Sequence, residues 1–544
     1  MGLETLVLAF QILAAPIGDG VFGTLGRTDS VGVHKSTISV NWCAWQSRAK
    51  RTIITWHSLC MLYEGFSFTE TNLDYPDEGQ AQKHVWLQKI LKVFERRLGV
   101  TVIQPTQSFL LGEPKLHRHT VLANQFIKAG IISGVRRAAN RPDEPAKKGW
   151  VGTLVPSGEM AGGIDVLDDG AAITKMLSEA LERQIWFEAT DYFKDSKFGT
   201  ENELRKHGLV VSPASFASFS PEQRCTDPLL TITEQSVFQW IKGYSLLHEK
   251  AVYIPAQVIS PKASPKKNSE PLIRQRNTSG LATWPDTEGA RLSGLLEVIE
   301  RDAFMILWLN QLSLPRVDLD QLNLATAPGL AKLLKDCKKY QLSVSLVPLL
   351  TDAPTHVVMA VVEDMLTHCP RFTVGLSAHG AFNRAAEHAL LEALRARNVY
   401  RKYREQGNDW DTSTPIADIG HRERMYYWGV PENASALTFL VAGNKIPPPY
   451  GVPWESEDRI LHYRRLIAWV KQHAYECVAV TMGSSRLNVT DLKVEMMVLP
   501  DLLAMHLHEV RPHLGGASRR IGIPTQFGYS ALPVPFTTRP HPFC

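Results

Sequence analysis

Along residues 293–304, SGLLEVIERDAF, apolar positions nearly surround the chain and polar ones keep to a narrow stripe. Ser293, Glu297, Glu300 and Arg301 recur at spacings of three and four, which puts them on one face of a helix. Leu295, Leu296, Val298 and Ile299 fill the other positions, and Phe304, Ile306, Leu307 and Trp308 prolong the apolar run. A helix this apolar does not stand free in water, so the stripe faces a confined polar space or a partner. The E-x-x-E-R spacing returns in KMLSEALERQIW, residues 175–186, as Glu179, Glu182 and Arg183, with Lys175 where the other copy has Ser293. A third helix, HALLEALRARNVYRKY from His388, carries Glu392, Arg395 and Arg397 among Leu and Ala.

Between these helices the period changes. AVYIPAQVI, QLSVSLVPLL, THVVMAVVED, ECVAVTMG and LKVEMMVLP are β-branched apolar runs that predict strands. Strands alternating with helices give an α/β (α+β) domain from residue 151 onward. The tail, ALPVPFTTRPHPFC, is too rich in proline for anything but an extended path. Residues 1–150 read as a smaller N-terminal lobe of unclear role, either structural or recruiting a partner or peptide. KSTISVNWCAWQSRAKRTIITWHSLCMLY suggests strands there, and AQKHVWLQKILKVFERRLGVTVIQP a helix closing near Gly99 before a strand. ANRPDEPAKKG reads as a polar linker at the boundary.

Composition narrows the classes. With 44% hydrophobic and 21% charged residues over 544 positions, the chain is globular. Its 59 basic and 55 acidic residues leave a net charge of +4, so nucleic-acid binding has no global electrostatic support. The seven cysteines are scattered with no C-x-x-C, which suits a reducing cytoplasm without structural zinc. The apolar start contains Glu4 and has no basic n-region, so a signal peptide is not expected. No run is long enough to span a membrane.

An i,i+4 Glu–Arg pair alone stabilises an exposed helix by about 0.2–0.5 kcal/mol and needs no function. Its recurrence on apolar helices points further. Two helices that each present paired carboxylates can converge on a hard cation, and magnesium takes few protein carboxylates while keeping room for phosphate oxygens. Nearby arginines clamp phosphates. The sequence has no G-x-x-x-x-G-K-[ST], no G-x-G-x-x-G after a strand, no H-R-D and no G-x-S-x-G. MHLHEVRPH offers His506, His508, Glu509 and His513, a weak metal pattern. The residues therefore suggest a magnesium–nucleotide site built from helix faces.

The run NTSGLATWPDTEGARLSGLLEVIERDAFMILWLNQLSLPRVDLD, residues 277–320, resembles the signature of YcaO-domain proteins, closest to the cyclodehydratases that form azolines in ribosomal peptides. Other segments resemble the family in its order. GGIDVLDDGAAITKMLSEALER is similar to its first acidic helix, and FSPEQR and FQWIKGYSLLHEKAVYIPAQVI to the stretch between. AAEHALLEALRAR is similar to its third helix, DLKVEMMVLPDLL and SRRIGIP to its late strands, and RPHPFC to its proline-rich end. The resemblance implies an ATP-binding fold without a P-loop. It implies that Glu179, Glu182, Glu297 and Glu300 hold Mg2+, and that Arg183, Arg301 and Arg397 lie near phosphates or hold the acids. It implies that Ser293 and Glu392 line the same site, and that the tail carrying Pro540, Pro542 and Cys544 points into it and matters for cyclisation; Lys175, a turn or more from where the family has a phosphate lysine, is the cofactor-binding candidate in its stead. The implied activity is ATP-dependent cyclodehydration of Cys, Ser or Thr in a ribosomal precursor peptide, with a separate leader-peptide-binding partner protein. No nucleic acid or membrane enters this picture, and a homodimer is compatible with it.

The chain departs from the family pattern in places. Gly162, Gly163, Ile164 and Asp165 stand where Gly-Gly-Lys-Gly is common, and Glu288, Gly289 and Ala290 shift an expected Glu-Ala by one residue. Arg395 stands where Gln is common, and the tail ends in Cys544 instead of a third proline. The departures keep two alternatives open: a catalytically weak docking subunit, or a member that forms a thioamide or amidine.

Overall fold

The computed structural model describes residues 117–543 except 189–190, 262, 264–269, 367–369, 408–409, 412, 452–453, 485–486 and 488–489, together with 53–55 and 101–103. The chain divides into two compact units, 1–108 and 109–544. In the first unit, Ile53–Thr55 and Thr101–Ile103 pair in parallel. The first falls within a stretch expected to hold strands, and the second is the strand expected after Gly99. The helix expected before Gly99 lies outside the described residues.

The second unit begins with α1 (His117–Lys128), then β1 (Ile132–Arg137), β2 (Lys148–Leu154) and β3 (Met160–Asp165). These strands form an antiparallel meander that straddles residue 150, so the division falls before residue 109 and not at 150. ANRPDEPAKKG is no free linker either. Arg141 pairs with Glu405 at 2.6 Å, and Glu144, 2% exposed, pairs with Arg397 at 2.8 Å. Ion pairing to a helix far along the chain overrides the local Pro-rich signal.

α2 (Asp169–Glu188) packs on β2 and β3. A seven-stranded sheet follows, built around β4 (Phe238–Ser245), β5 (Lys250–Pro255), β6 (Leu281–Trp284), β10 (Val478–Thr481) and β11 (Lys493–Val498) in the order β6-β11-β10-β4-β5. Short strands Lys197–Gly199 and Leu209–Val210 pair with β4 and β5. A second antiparallel sheet holds β7 (Leu342–Pro348), β8 (His356–Asp364) and β9 (Phe372–His379). α5 (Phe382–Glu405) lies on β8 and β9, and α4 (Pro328–Lys339) lies beside α5.

α3 (Thr287–Asn310) carries the opening stripe. Asp286 caps its N-terminus by accepting from the Gly289 N–H, and Gln311 ends it in the left-handed region at φ 50°. It packs on β6 and β11 of one sheet and on β9 of the other, and this double contact explains why it is apolar nearly all round. Strand β8 is buried along almost its whole length for a like reason. The remaining long helix, α6 (Arg459–Gln472), packs on α3.

One expected late strand is a helix. SRRIGIP lies in α7 (Ala517–Gln526), which follows Gly516 at φ 62°. Helical geometry sets Arg519 against Asp302 at 2.8 Å and Asp352 at 2.7 Å, and Arg520 against Asn310 at 3.1 Å. These buried partners, on α3 and in the loop after β7, decide the conformation.

Candidate active site

Each of the five glutamates in the acidic stripes accepts from a backbone N–H in or beside a strand. The Gly162 N–H of β3 donates to Glu179 Oε2 at 3.1 Å, and the Gly280 N–H beside β6 donates to Glu297 Oε2 at 2.8 Å. The Leu376 N–H of β9 donates to Glu392 Oε2 at 2.8 Å. In the two E-x-x-E-R copies the arginine then grips the other oxygen: Arg183 holds Glu179 Oε1 at 2.6 Å and Arg301 holds Glu297 Oε1 at 2.7 Å. The second acid of each copy reaches forward to the next layer. Glu182 accepts from the Thr283 N–H of β6 at 2.7 Å, and Glu300 from the Ala378 N–H of β9 at 3.0 Å. Thus α2 is tied to the strand before α3, and α3 to the strand before α5.

Close backbone approach makes this possible. A Cβ on Gly375 would lie 2.2 Å from the Ala389 carbonyl oxygen, so α5 sits directly on β9. Gly294 of α3 and Gly280 touch in the same way, a Cβ on Gly294 falling 2.4 Å from the Gly280 oxygen. Gly280 also has φ +88°, which a side chain would strain.

The carboxylates repel one another. Burial first, and then the Glu297 and Glu179 charges, push Glu182 up to about 8. Burial and the Glu392 carboxylate raise Glu300 well above the carboxylate range. Burial also raises Glu392, with Glu297 adding to the effect. Among the described residues no three His, Cys, Asp or Glu side chains are gathered closely enough to hold a metal by themselves. The site offers separated acids with excess negative charge, a set that needs outside cations and oxygen ligands to close it.

The other expected residues fall in several places. Arg397 is not at the site. It is buried on the far side of α5, bonded to Glu144 at 2.8 Å and Asp364 at 2.6 Å. The helical turn puts Arg395 on the acid side instead, 3.4 Å from Glu179. Lys175 is engaged by Asp165 at 3.0 Å and the Ile164 carbonyl at 3.2 Å. Ser293 donates to the Gly289 carbonyl and accepts from Arg459 Nη2 at 3.0 Å. Arg459 lies on α6 and covers the Trp284 ring at 3.9 Å, a contact no local sequence signal foretells. Glu288 is exposed in the first turn of α3. His506 faces Glu509 at 3.2 Å in a buried network with Arg424, which accounts for MHLHEVRPH without a metal.

The tail comes back to α3. Pro540, His541, Pro542 and Phe543 are buried, and the rings of His541 and Phe543 lie 5.8 and 5.9 Å from Phe304. Phe304 follows Glu300 by one turn, and the Arg301 charge acts on His541. Cys544 lies outside the described residues.

A family model described as YcaO cyclodehydratase, ATP- and Mg2+-binding, matches residues 167–502, which include all five glutamates. The chain belongs to the YcaO family. An uncharacterized protein of Methanothermobacter thermautotrophicus is 30% identical over 164 residues, spanning 30% of this chain and 42% of that protein. A heterocyclase in complex with substrate and cofactor superposes with a TM-score of 0.58 at 18% identity, covering 77% of this chain and 57% of that chain. YcaO from Methanopyrus kandleri, bound with AMPPCP and Mg2+, superposes with a TM-score of 0.51 at 17% identity, covering 75% of this chain and 96% of that chain. At such identities these likenesses show the fold. The match spans less than half of the Methanothermobacter relative and little over half of the heterocyclase.

ATP and Mg2+ are the cofactors of the family, and the residues present fit them. Burial first, and then the neighbouring carboxylates, hold Glu182, Glu300 and Glu392 toward their neutral forms, and a divalent cation offsets both. Arg301 Nε is buried without a partner, a free donor for an anionic ligand.

Proposed function

We propose that this YcaO protein is an ATP- and Mg2+-dependent enzyme that cyclodehydrates Cys, Ser or Thr of a ribosomally made precursor peptide to a thiazoline or oxazoline. The observation that carries the reading is the convergence of five strand-held glutamates from three helices. Glu179, Glu182, Glu297 and Glu300 are the residues that would hold magnesium, and Glu392 closes the ring of acids.

Bound ATP with magnesium supplies the phosphoryl group that turns a former peptide carbonyl oxygen into a leaving group. The protein's part is positioning and charge. Backbone N–H groups fix one oxygen of each glutamate; the other is left for a ligand in Glu182, Glu300 and Glu392 and is shared with an arginine in Glu179 and Glu297. Arg183 and Arg301 hold Glu179 and Glu297 in place, and Arg301 Nε is left to meet developing phosphate charge. Arg459, seated between Ser293 and Trp284, guards the edge of the same helix face. In the substrate, a thiol or hydroxyl adds to the preceding carbonyl, and loss of the activated oxygen with the amide proton leaves a C=N bond. The net change is one water lost per ring.

The buried tail, with Pro540 and Pro542 beside α3, supports cyclisation over thioamide or amidine formation. Leader capture belongs, in this reading, to a separate partner protein.

Titration of Mg–ATP into the purified protein by calorimetry tests the site. Wild type is expected to bind only with magnesium, and folded Glu297→Ala and Glu300→Ala variants to lose at least about tenfold in affinity. A folded wild type that ignores Mg–ATP overturns the reading. Water loss from a candidate peptide, followed by mass, then tests the chemistry.

A further inference from the structure

MHLHEVRPH, residues 505–513, serves no metal, yet its His506, Glu509 and His513 are buried. The two buried rings are bonded through both nitrogens. His513 donates from Nδ1 to the Ala504 carbonyl at 2.8 Å and accepts at Nε2 from the Gln275 N–H at 3.0 Å. His506 accepts at Nδ1 from the His513 N–H at 3.3 Å, which leaves its Nε2–H to face Glu509 at 3.2 Å. Glu509 in turn holds Arg424 at 2.7 Å. Only one tautomer of each neutral ring fits this chain of bonds, so the loop has one arrangement.

The loop is braced against the acidic stripe on one side and meets the tail on the other. Gln275 Oε1 accepts from the Leu507 and His508 N–H groups, both at 2.9 Å, and Asn277 donates to the Met505 carbonyl at 2.9 Å. A few residues past Asn277, the Gly280 N–H holds Glu297. Just before the loop, the Leu503 N–H donates to Asp302 of α3 at 2.8 Å. Toward the tail, the His506 carbonyl accepts from His541 Nε2–H at 2.7 Å. The fully buried His541 ring lies 5.0 Å from the His506 ring and 5.8 Å from Phe304 of α3. Burial first, and then the charges of Arg424, His506 and Arg301, keep that ring neutral, the form that donates without adding a cation. Pro540 and Pro542 flank it with fixed φ, so orienting this one ring orients the tip of the tail.

We propose that the buried loop 505–513 is a cradle that seats the tip of the tail against α3, with His541 as the positioning residue, acting through the His506 carbonyl. The loop is braced to the segment that holds Glu297 and to α3, so the tip and the acids share one frame. The part this plays in ring formation rests on the cyclodehydration reading above; the seating of the tip does not.

Three full-length variants test it. His541→Ala removes the bond, His541→Gln keeps an N–H at the reach of Nε2, and Glu509→Gln loosens the cradle without touching the tail. Amide hydrogen exchange of the tail, followed by mass without nucleotide or peptide, reads the seating. His541→Ala is expected to exchange there at least about tenfold faster than wild type, and His541→Gln within about threefold of it. Glu509→Gln is expected to fall between. On a peptide that wild type cyclises, kcat is expected to drop at least about tenfold in His541→Ala, with peptide KM and Mg–ATP affinity within about threefold. His541→Gln is expected to recover most of that loss. Circular dichroism establishes folding, and faster tail exchange in Glu509→Gln carries the test if His541→Ala does not fold. Unchanged tail exchange in the folded variants overturns the cradle. His541→Gln no better than His541→Ala, or faster exchange with unchanged kcat, overturns the role of His541. Mg–ATP affinity lost in step with kcat does the same, since it reports damage to the whole site. A wild type with a protected tail that cyclises no candidate peptide sinks the cyclodehydration reading and keeps the cradle.

Discussion

Glu182 shows how one side chain records what the site lacks. Its carboxyl is pushed up to about 8 by burial and by Glu297 and Glu179. In the unfolded chain it ionises near the ordinary glutamate value of 4.5. Between these values the unfolded state gives up its proton while the folded state keeps it, so stability falls as pH rises and levels off above about 8. The slope is at most about 1.4 kcal/mol per pH unit for one group. Urea unfolding without magnesium, from pH 5 to 8, is expected to show this decline, and Glu182→Gln to flatten it. An unchanged slope in the variant assigns the decline to other groups. At the same scale, Arg395 and Arg397 are two residues apart and do unlike things. The helix turns one toward Glu179 and the other into a buried cluster with Glu144 and Asp364.

At the scale of elements, each helix depends on a strand that comes close enough to lend its N–H groups. Gly375 is the tightest such contact described on α5, and alanine there meets the Ala389 carbonyl. Gly375→Ala is expected to lift α5 from β9 and to destabilise the fold by roughly 1–3 kcal/mol. Lengthening of the Leu376–Glu392 bond is also expected to weaken Mg–ATP binding. Urea unfolding and calorimetry on one preparation read both effects. Loss of stability with unchanged nucleotide affinity would remove Glu392 from the site. α7 teaches a related lesson. SRRIGIP reads as a strand by likeness, but Arg519 reaches Asp302 and Asp352 from a helix. Breaking such a buried network leaves a bare charge, a stronger term than local propensity.

At the scale of the molecule, α3 is shared between two sheets, and the tail returns to it. Removing residues 539–544 is expected to leave Mg–ATP binding within a few-fold and to abolish ring formation, measured by calorimetry and by peptide mass. Full ring formation without the tail would return Pro540 and Pro542 to a packing role. The E-x-x-E-R copies were legible because helix spacing is local: three or four residues decide a face. The alternating strands of the second unit were legible for the same reason. The sequence by itself therefore determined which residues share each acidic stripe and that the helices bearing them are buried. Only the tertiary structure decided that Glu182 answers Thr283 and Glu300 answers Ala378, partners 101 and 78 residues apart. It alone moved Arg397 away, brought Arg459 in and set Arg274 beside Arg301. Periodicity says which way a side chain points from its own element; which element it meets depends on how the sheets stack.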